Sequence, residues 1–308
     1  MSTGPITMPS QRPPKPEWLK IKLTRNESFG RITSALRKRN LYTVCEEANC
    51  PNIHECWSGG TATFMILGDI CTRGCRFCAV TSGNPGGAID LEEPENTARM
   101  ISEMGLSYIV ITSVDRDDLA DQGAGHFALT AELTKRYTPG ILVETLTPDW
   151  RGNQACVRTM AEAPVDVLAH NIETVERLQA SVRDPRAGYQ QSLKVLRLYR
   201  ELAAETGRRV LTKSSIMLGV GETEDEVRQC MQDLLDQGVS VLTLGQYLQP
   251  TRKHLSIQEY IPPERFDAWA REGEAMGFAY VAAGPLVRSS YKAGEYYIRH
   301  MLTEQATA

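Results

Sequence analysis

The sequence predicts an α/β chain whose parallel strands curl into an open, partial barrel. Three observations carry this. Short β-branched or aliphatic runs recur from residue 62 onward, each bounded by Gly, Pro, Asp or a charge. Amphipathic helical patterns fall between them. Six such units occupy roughly 200 residues, whereas a closed eight-unit barrel takes about 250. Parallel strands joined by right-handed crossovers form either an open doubly wound sheet or a barrel. Six units favour a partial (β/α)6 barrel of the TIM type, carrying an extension at each end.

The elements follow in order. Residues 1–17, "MSTGPITMPSQRPPKPE", hold almost nothing apolar, cannot offset the entropy of ordering, and are expected to form a mobile tail. Residues 18–61 form an N-terminal extension. It opens with a basic stretch in which a helix is expected from Phe29 to Arg39. Those charges read as a solvated face or as a dock for an acidic protein partner. The barrel spans 62–276, with strands expected at Thr63–Leu67, Tyr108–Thr112, Ile141–Thr145, Val165–Ala169, Val210–Met217 and Val241–Leu244. Leu193, Leu196, Tyr199 and Leu202 recur at helical spacing in a segment that stops at Gly207. Val227, Met231, Leu234 and Leu235 repeat the pattern up to Gly238, behind an acidic first turn that complements the helix dipole. Residues 277–308 form a C-terminal extension.

With 308 residues and 42% apolar content, a sizeable core can be buried. A net charge of −4 gives no electrostatic reason to expect nucleic acid as the main partner. The longest apolar runs, such as "YIVIT" at 108–112, are too short to span a bilayer, so no membrane association is expected. No secretory signal pattern is present. Eight cysteines in such a chain argue for reduced thiols used as ligands or nucleophiles, and so for a cytoplasmic protein. A reducing organelle stroma or matrix stays open.

Six of the cysteines fall into two triplets. Cys71, Cys75 and Cys78, in "CTRGCRFC", sit in the loop after the first barrel strand, at the end where α/β folds place active sites. Gly74 is expected to turn the backbone inside this loop, and Phe77 to set an apolar ring beside the last thiol. Thiolates suit iron–sulfur clusters or zinc. A structural zinc site takes four closed ligands, so three thiols on one tight loop fit a [4Fe-4S] cube with one iron left open. Cys45, Cys50 and Cys56 form the second triplet, in "CEEANCPNIHEC". Pro51 and the charged neighbours argue for an irregular loop. Zinc with His54 as fourth ligand is the rival to a second cluster, although His54 lies only two residues before Cys56. Cys156 and Cys230 read as packing residues.

The C-x3-C-x-aromatic-C pattern resembles the radical S-adenosylmethionine superfamily. Further stretches are similar to the lipoyl synthase family within it: "CEEANCPNIHECW", "TSVDRDDLADQGAGHF", "AHNIETV", "VRDPRAGYQQSL", "TKSSIMLGVGE" and "GPLVRSSYKAGE". The resemblance implies two [4Fe-4S] clusters and S-adenosylmethionine as cofactors. Cys71, Cys75 and Cys78 would hold the catalytic cluster, whose fourth iron is chelated by the methionyl amine and carboxylate. Cys45, Cys50 and Cys56 would hold an auxiliary cluster completed by Ser290, or by Ser289 if the register is shifted by one.

By the same resemblance, two sulfur atoms enter carbons six and eight of an octanoyl chain on a carrier-protein lysine. The auxiliary cluster supplies the sulfur. Methylene and methyl hydrogens lie beyond acid–base catalysis, which typically contributes about 10²–10⁴-fold, so homolytic abstraction fits the substrate. Partners implied are octanoylated lipoyl carrier domains, of a 2-oxoacid dehydrogenase E2 or the glycine cleavage H protein, and a ferredoxin- or flavodoxin-type reductant. Ser113 and Asp115 after the second strand, Glu144 in the third, Asn171 after the fourth and Lys213 in the fifth are candidate nucleotide contacts. Each has the alternative of a structural strand-end hydrogen bond. Biotin synthase-like enzymes and methylthiotransferases are near rivals, and a non-catalytic iron–sulfur or zinc protein a distant one.

Overall fold

The computed structural model describes residues 14–20, 36, 39, 41–43, 52–53, 56 and 62–290. The strands are β1 Tyr42–Thr43, β2 Thr63–Ile66, β3 Ile70–Cys71, β4 Thr81–Ser82, β5 Tyr108–Ser113, β6 Leu142–Leu146, β7 Val167–Ala169, β8 Leu211–Leu218, β9 Val241–Gln246 and β10 Tyr280–Gly284. The helices are α1 Glu93–Glu103, α2 Ala124–Tyr137, α3 Gln154–Glu162, α4 Gln179–Val182, α5 Tyr189–Glu205, α6 Glu224–Asp236 and α7 Pro263–Met276. All six expected strands are present with small shifts at their ends. Of the helix expected at Phe29–Arg39, residues 29–35 and 37–38 lie outside the described set, as does most of the 1–17 tail.

The main sheet runs β1-β2-β5-β6-β7-β8-β9-β10. From β2 onward every neighbour is parallel and sequential, with a helix packed outside most crossovers. β1 pairs antiparallel with β2 at one edge, and among the described residues no pair joins β10 back to β1. The barrel is therefore partial and open, as expected. β10 is an additional parallel strand, lying past residue 276. Its "YVAAG" carries two alanines and a glycine, weak strand formers, and only the ladder with β9 makes it a strand.

Local signals place the helices. Thr223 and Glu226 form a capping box at the start of α6. Pro263 opens α7, and Gly277, at φ 122°, closes it. Cys156 and Cys230 are buried in the helix–sheet cores, as expected of packing thiols.

Strand alternation sends Tyr108, Val110, Val167, Leu211 and Val241 into the barrel interior, where they form a separate apolar floor. Glu144 and Lys213 lie at this level. The Lys213 Nζ stands 2.8 Å from both carboxylate oxygens of Glu144, and the Tyr108 hydroxyl donates to the same carboxylate. Two side chains expected at the nucleotide instead form a buried pair. Mutual attraction, together with a hydroxyl donor, offsets their desolvation there.

Candidate functional site

Above that floor the strand ends surround a cavity of about 520 Å³. The cysteine loop forms one wall. Leu67 (φ 68°) and Gly68 (φ 84°) swing the chain out of β2, and the short β3–β4 pair fixes the loop's base. Gly74 does not have the turning role expected of it. Its φ is not left-handed, and a Cβ there would make only ordinary contacts, 3.8 Å from Ser82 Oγ and 3.9 Å from Asp184 Oδ2.

Arg73 pins the loop. It is buried, donates through Nε and Nη2 to the two oxygens of Asp117 at 3.0 Å, and pairs with Asp149 at 2.8 Å. Burial opposes ionisation of Asp149, but the Arg73 guanidinium outweighs it and holds that carboxyl down to about 2. Asp184 accepts from the Gly74 N–H at 2.8 Å on the other side of the loop.

Cys71, Cys75, Cys78 and Phe77 all face the cavity. Burial, with the Asp115 charge added, pushes the Cys71 thiol up to about 12; burial likewise pushes Cys75 up to about 12 and raises Cys78. A thiolate in these positions therefore needs a bound cation to hold it. Backbone amides already point at the sulfurs: the N–H groups of Arg73 and Asp115 donate to Cys71 Sγ at 3.4 Å, and that of Asp184 to Cys75 Sγ at 3.3 Å. Among the described residues no three His, Cys, Asp or Glu side chains are grouped as ligands of one metal ion. An iron–sulfur cube takes one iron per thiolate and needs no such convergence, so the donor set fits a cluster.

Of the expected nucleotide contacts, Ser113, Asp115 and Asn171 line the cavity, whereas Glu144 and Lys213 do not. Ser113 Oγ is buried without a hydrogen-bond partner. Burial pushes the Asp115 carboxyl up to about 6 against the pull of Arg73. The Asn171 amide donates to Glu173 Oε1 at 3.1 Å.

The structure adds Arg73, Asp149, His170, Glu173 and Arg183 to the lining, none of which was singled out from sequence. All but Asp149 lie inside quoted motifs, but isolated polar residues carry no signal of burial along the sequence. Glu173 has a left-handed φ of 67°, a strained value for a non-glycine residue and one often met at binding sites. His170 accepts at Nε2 from Ser192 Oγ and donates at Nδ1 to the Thr147 carbonyl, each at 2.9 Å. Its burial pulls its pKa down to about 4, so it is neutral.

The second constellation reaches this cavity too. Cys56, Asn52, Ser289 and Ser290 line the same cavity as the barrel cysteines. Cys45, Cys50 and His54 lie outside the described residues. Met65, Leu146, Ile216, Met217, Leu248 and Val287 give the space between an apolar surface.

A family model described as "Radical SAM superfamily" matches residues 65–234, and one described as "N-terminal domain of lipoyl synthase of Radical_SAM family" matches residues 7–50. The fold and the three-cysteine loop thus place the chain among radical S-adenosylmethionine enzymes. Solved structures agree on the fold. The hydrogenase maturase HydG from Carboxydothermus hydrogenoformans has a TM-score of 0.53 at 14% identity, covering 91% of this chain and 78% of its own. Streptococcus suis SuiB bound to S-adenosylmethionine has a TM-score of 0.55 at 10% identity, covering 83% of this chain and 60% of its own.

Sequence relatives narrow the class. "Lipoyl synthase, chloroplastic" of Arabidopsis thaliana is 54% identical over 307 residues, covering 98% of this chain and 77% of that protein. "Lipoyl synthase, mitochondrial" of Branchiostoma floridae is 53% identical over 297 residues, covering 95% and 78%. The chain belongs to the lipoyl synthase family. These relatives bear organelle names, so the expected cytoplasmic location gains no support from them. No helix among the described residues is long and apolar enough to cross a membrane.

Proposed function

We propose that the chain inserts two sulfur atoms, at carbons six and eight, into an octanoyl group amide-linked to a lysine of a lipoyl carrier domain. The family uses S-adenosylmethionine and [4Fe-4S] clusters. The observation that carries the reading is the shared cavity, lined by Cys71, Cys75 and Cys78, by Cys56 and Ser290, and by apolar side chains. When bound, cluster and nucleotide supply homolytic hydrogen abstraction at unactivated carbon, which no side chain can match.

The chain's own residues bind, orient and exclude water. Cys71, Cys75 and Cys78 hold the catalytic cluster. Ser113, Asp115 and Asn171, which line the cavity, are assigned to the nucleotide's methionyl and ribose groups. Cys45, Cys50, Cys56 and Ser290 hold the auxiliary cluster, the sulfur source. The apolar part of the lining suits an aliphatic chain, and holding it in the cavity that both groups line lets proximity replace diffusion. We assign residues 1–17 to a tail, 18–61 and 277–308 to the extensions that carry the auxiliary site, and 62–276 to the barrel. Carrier domains of a 2-oxoacid dehydrogenase E2 or a glycine cleavage H protein are the proposed substrates, with a ferredoxin- or flavodoxin-type reductant and a reducing compartment.

Mass spectrometry of an octanoyl-lysyl peptide after anaerobic incubation with S-adenosylmethionine and reductant tests this. Replacement of two hydrogens by two sulfurs is expected. Recovery of unaltered octanoyl peptide alongside 5′-deoxyadenosine would refute it.

A further inference from the structure

One residue ties the two halves of the second constellation together. Asn52, between Cys50 and Cys56, is buried at 4% exposure. Its backbone carbonyl accepts from the Cys56 N–H at 2.9 Å, and Ile53 and Cys56 are helical, so the described residues here form a helical turn and not the irregular loop expected from Pro51. Its side-chain nitrogen donates to the Leu286 carbonyl at 2.7 Å, across 234 positions of sequence. A carbonyl only accepts, so the amide must present its nitrogen there.

Leu286 is four residues before Ser290, on a segment held tightly from its other side. Val287 N–H donates to the Gly284 carbonyl at 3.1 Å. A Cβ on Gly245 of β9 would lie 2.2 Å from the Val287 carbonyl oxygen, so the segment rests directly on bare strand backbone. Asn52 and Gly245 thus grip the residues that lead to Ser290.

We propose that Asn52 is a positioning residue for the auxiliary site: by holding Leu286 it keeps Ser290 docked to the segment that carries Cys56. The proposal rests on the reading of Ser290 as the fourth ligand. Serine oxygen is a hard donor on a site otherwise built of soft thiolates, so it is the ligand most dependent on being held in place. Holding it through a side chain of the Cys56 segment itself makes ligand delivery depend on the two segments being docked.

The test uses the full chain carrying Cys71→Ala, Cys75→Ala and Cys78→Ala, so that only auxiliary iron is counted, at about four per chain after anaerobic reconstitution. Iron release to a chelator and the electron paramagnetic resonance signal of the three-iron form are followed. Asn52→Asp keeps the size but places an acceptor against an acceptor. It is expected to release iron about tenfold faster, matching the cost of one buried hydrogen bond, and to raise the three-iron signal as Ser290→Ala does. Adding Ser290→Cys should restore retention, because a stronger ligand needs less positioning, whereas a general folding defect would not be rescued. Should Asn52→Asp fail to fold by circular dichroism, Asn52→Leu removes the donor without a charge and is read the same way. Parent-like release by the Asn52 variant, with Ser290→Ala fast, overturns the latch and leaves Ser290 as ligand. Parent-like release by Ser290→Ala removes both.

Discussion

Lys213→Met separates a structural role from a nucleotide contact. Lys213 and Glu144 are 3% and 1% exposed, and the ammonium sits 2.8 Å from both carboxylate oxygens. Removing the lysine leaves a buried carboxylate with only the Tyr108 hydroxyl beside it, a change that costs about 3–5 kcal/mol. Against a total stability of about 5–15 kcal/mol, that is a large fraction. Replacing the pair together, Lys213→Met with Glu144→Leu, removes both desolvation penalties. The double variant is expected within about 1–2 kcal/mol of the parent, so the cycle should show strong coupling. Guanidinium unfolding with an unchanged slope measures stability, and equilibrium binding of S-adenosylmethionine measures contact. A Lys213→Met protein of parental stability that no longer binds the nucleotide would refute the structural reading.

Other perturbations probe separate steps. Ser113→Ala deletes the buried hydroxyl that faces the cavity and is expected to weaken S-adenosylmethionine binding by about tenfold with stability unchanged, read by calorimetry. Gly245→Ala drives a methyl toward the Val287 carbonyl and should lower auxiliary iron content while the unfolding midpoint moves less than for a core cavity. Thr223→Ala breaks the capping box of α6 and should cost about 1 kcal/mol without altering either iron site. His170 is neutral in the fold, with its pKa pulled from 6.5 to about 4 by burial. Between those values the unfolded chain takes up a proton that the folded chain refuses. Stability should therefore decline as pH falls from about 6.5 to 4, by roughly 3 kcal/mol, and His170→Gln should flatten that part of the profile.

Both the strand pattern and the cysteine loop were legible because each is written locally. A strand's alternation and a helix's period repeat over a few residues, so Tyr108–Ser113 and Glu224–Asp236 emerged near their true limits. β10 did not, since "YVAAG" becomes a strand only through its ladder with β9. Ser113, Asp115 and Asn171 reached the cavity because strand ends point there. Glu144 and Lys213 did not, because depth within the barrel depends on strand stagger, which spacing along the chain does not encode.

The sequence by itself determined the class of chemistry. Three thiols within eight residues after a buried strand, and a second triplet upstream, are covalent facts that no packing can change. Only the tertiary structure decided which distant groups meet. Arg73 needs Asp117 and Asp149 from two other strand ends to be buried at all, and Asn52 meets Leu286 only because a seven-strand parallel wall brings two segments 234 positions apart together. Charges and amides have no periodicity that marks their partners. Their pairing is settled by the low-dielectric interior, where a group left unpaired costs more than the fold can spare.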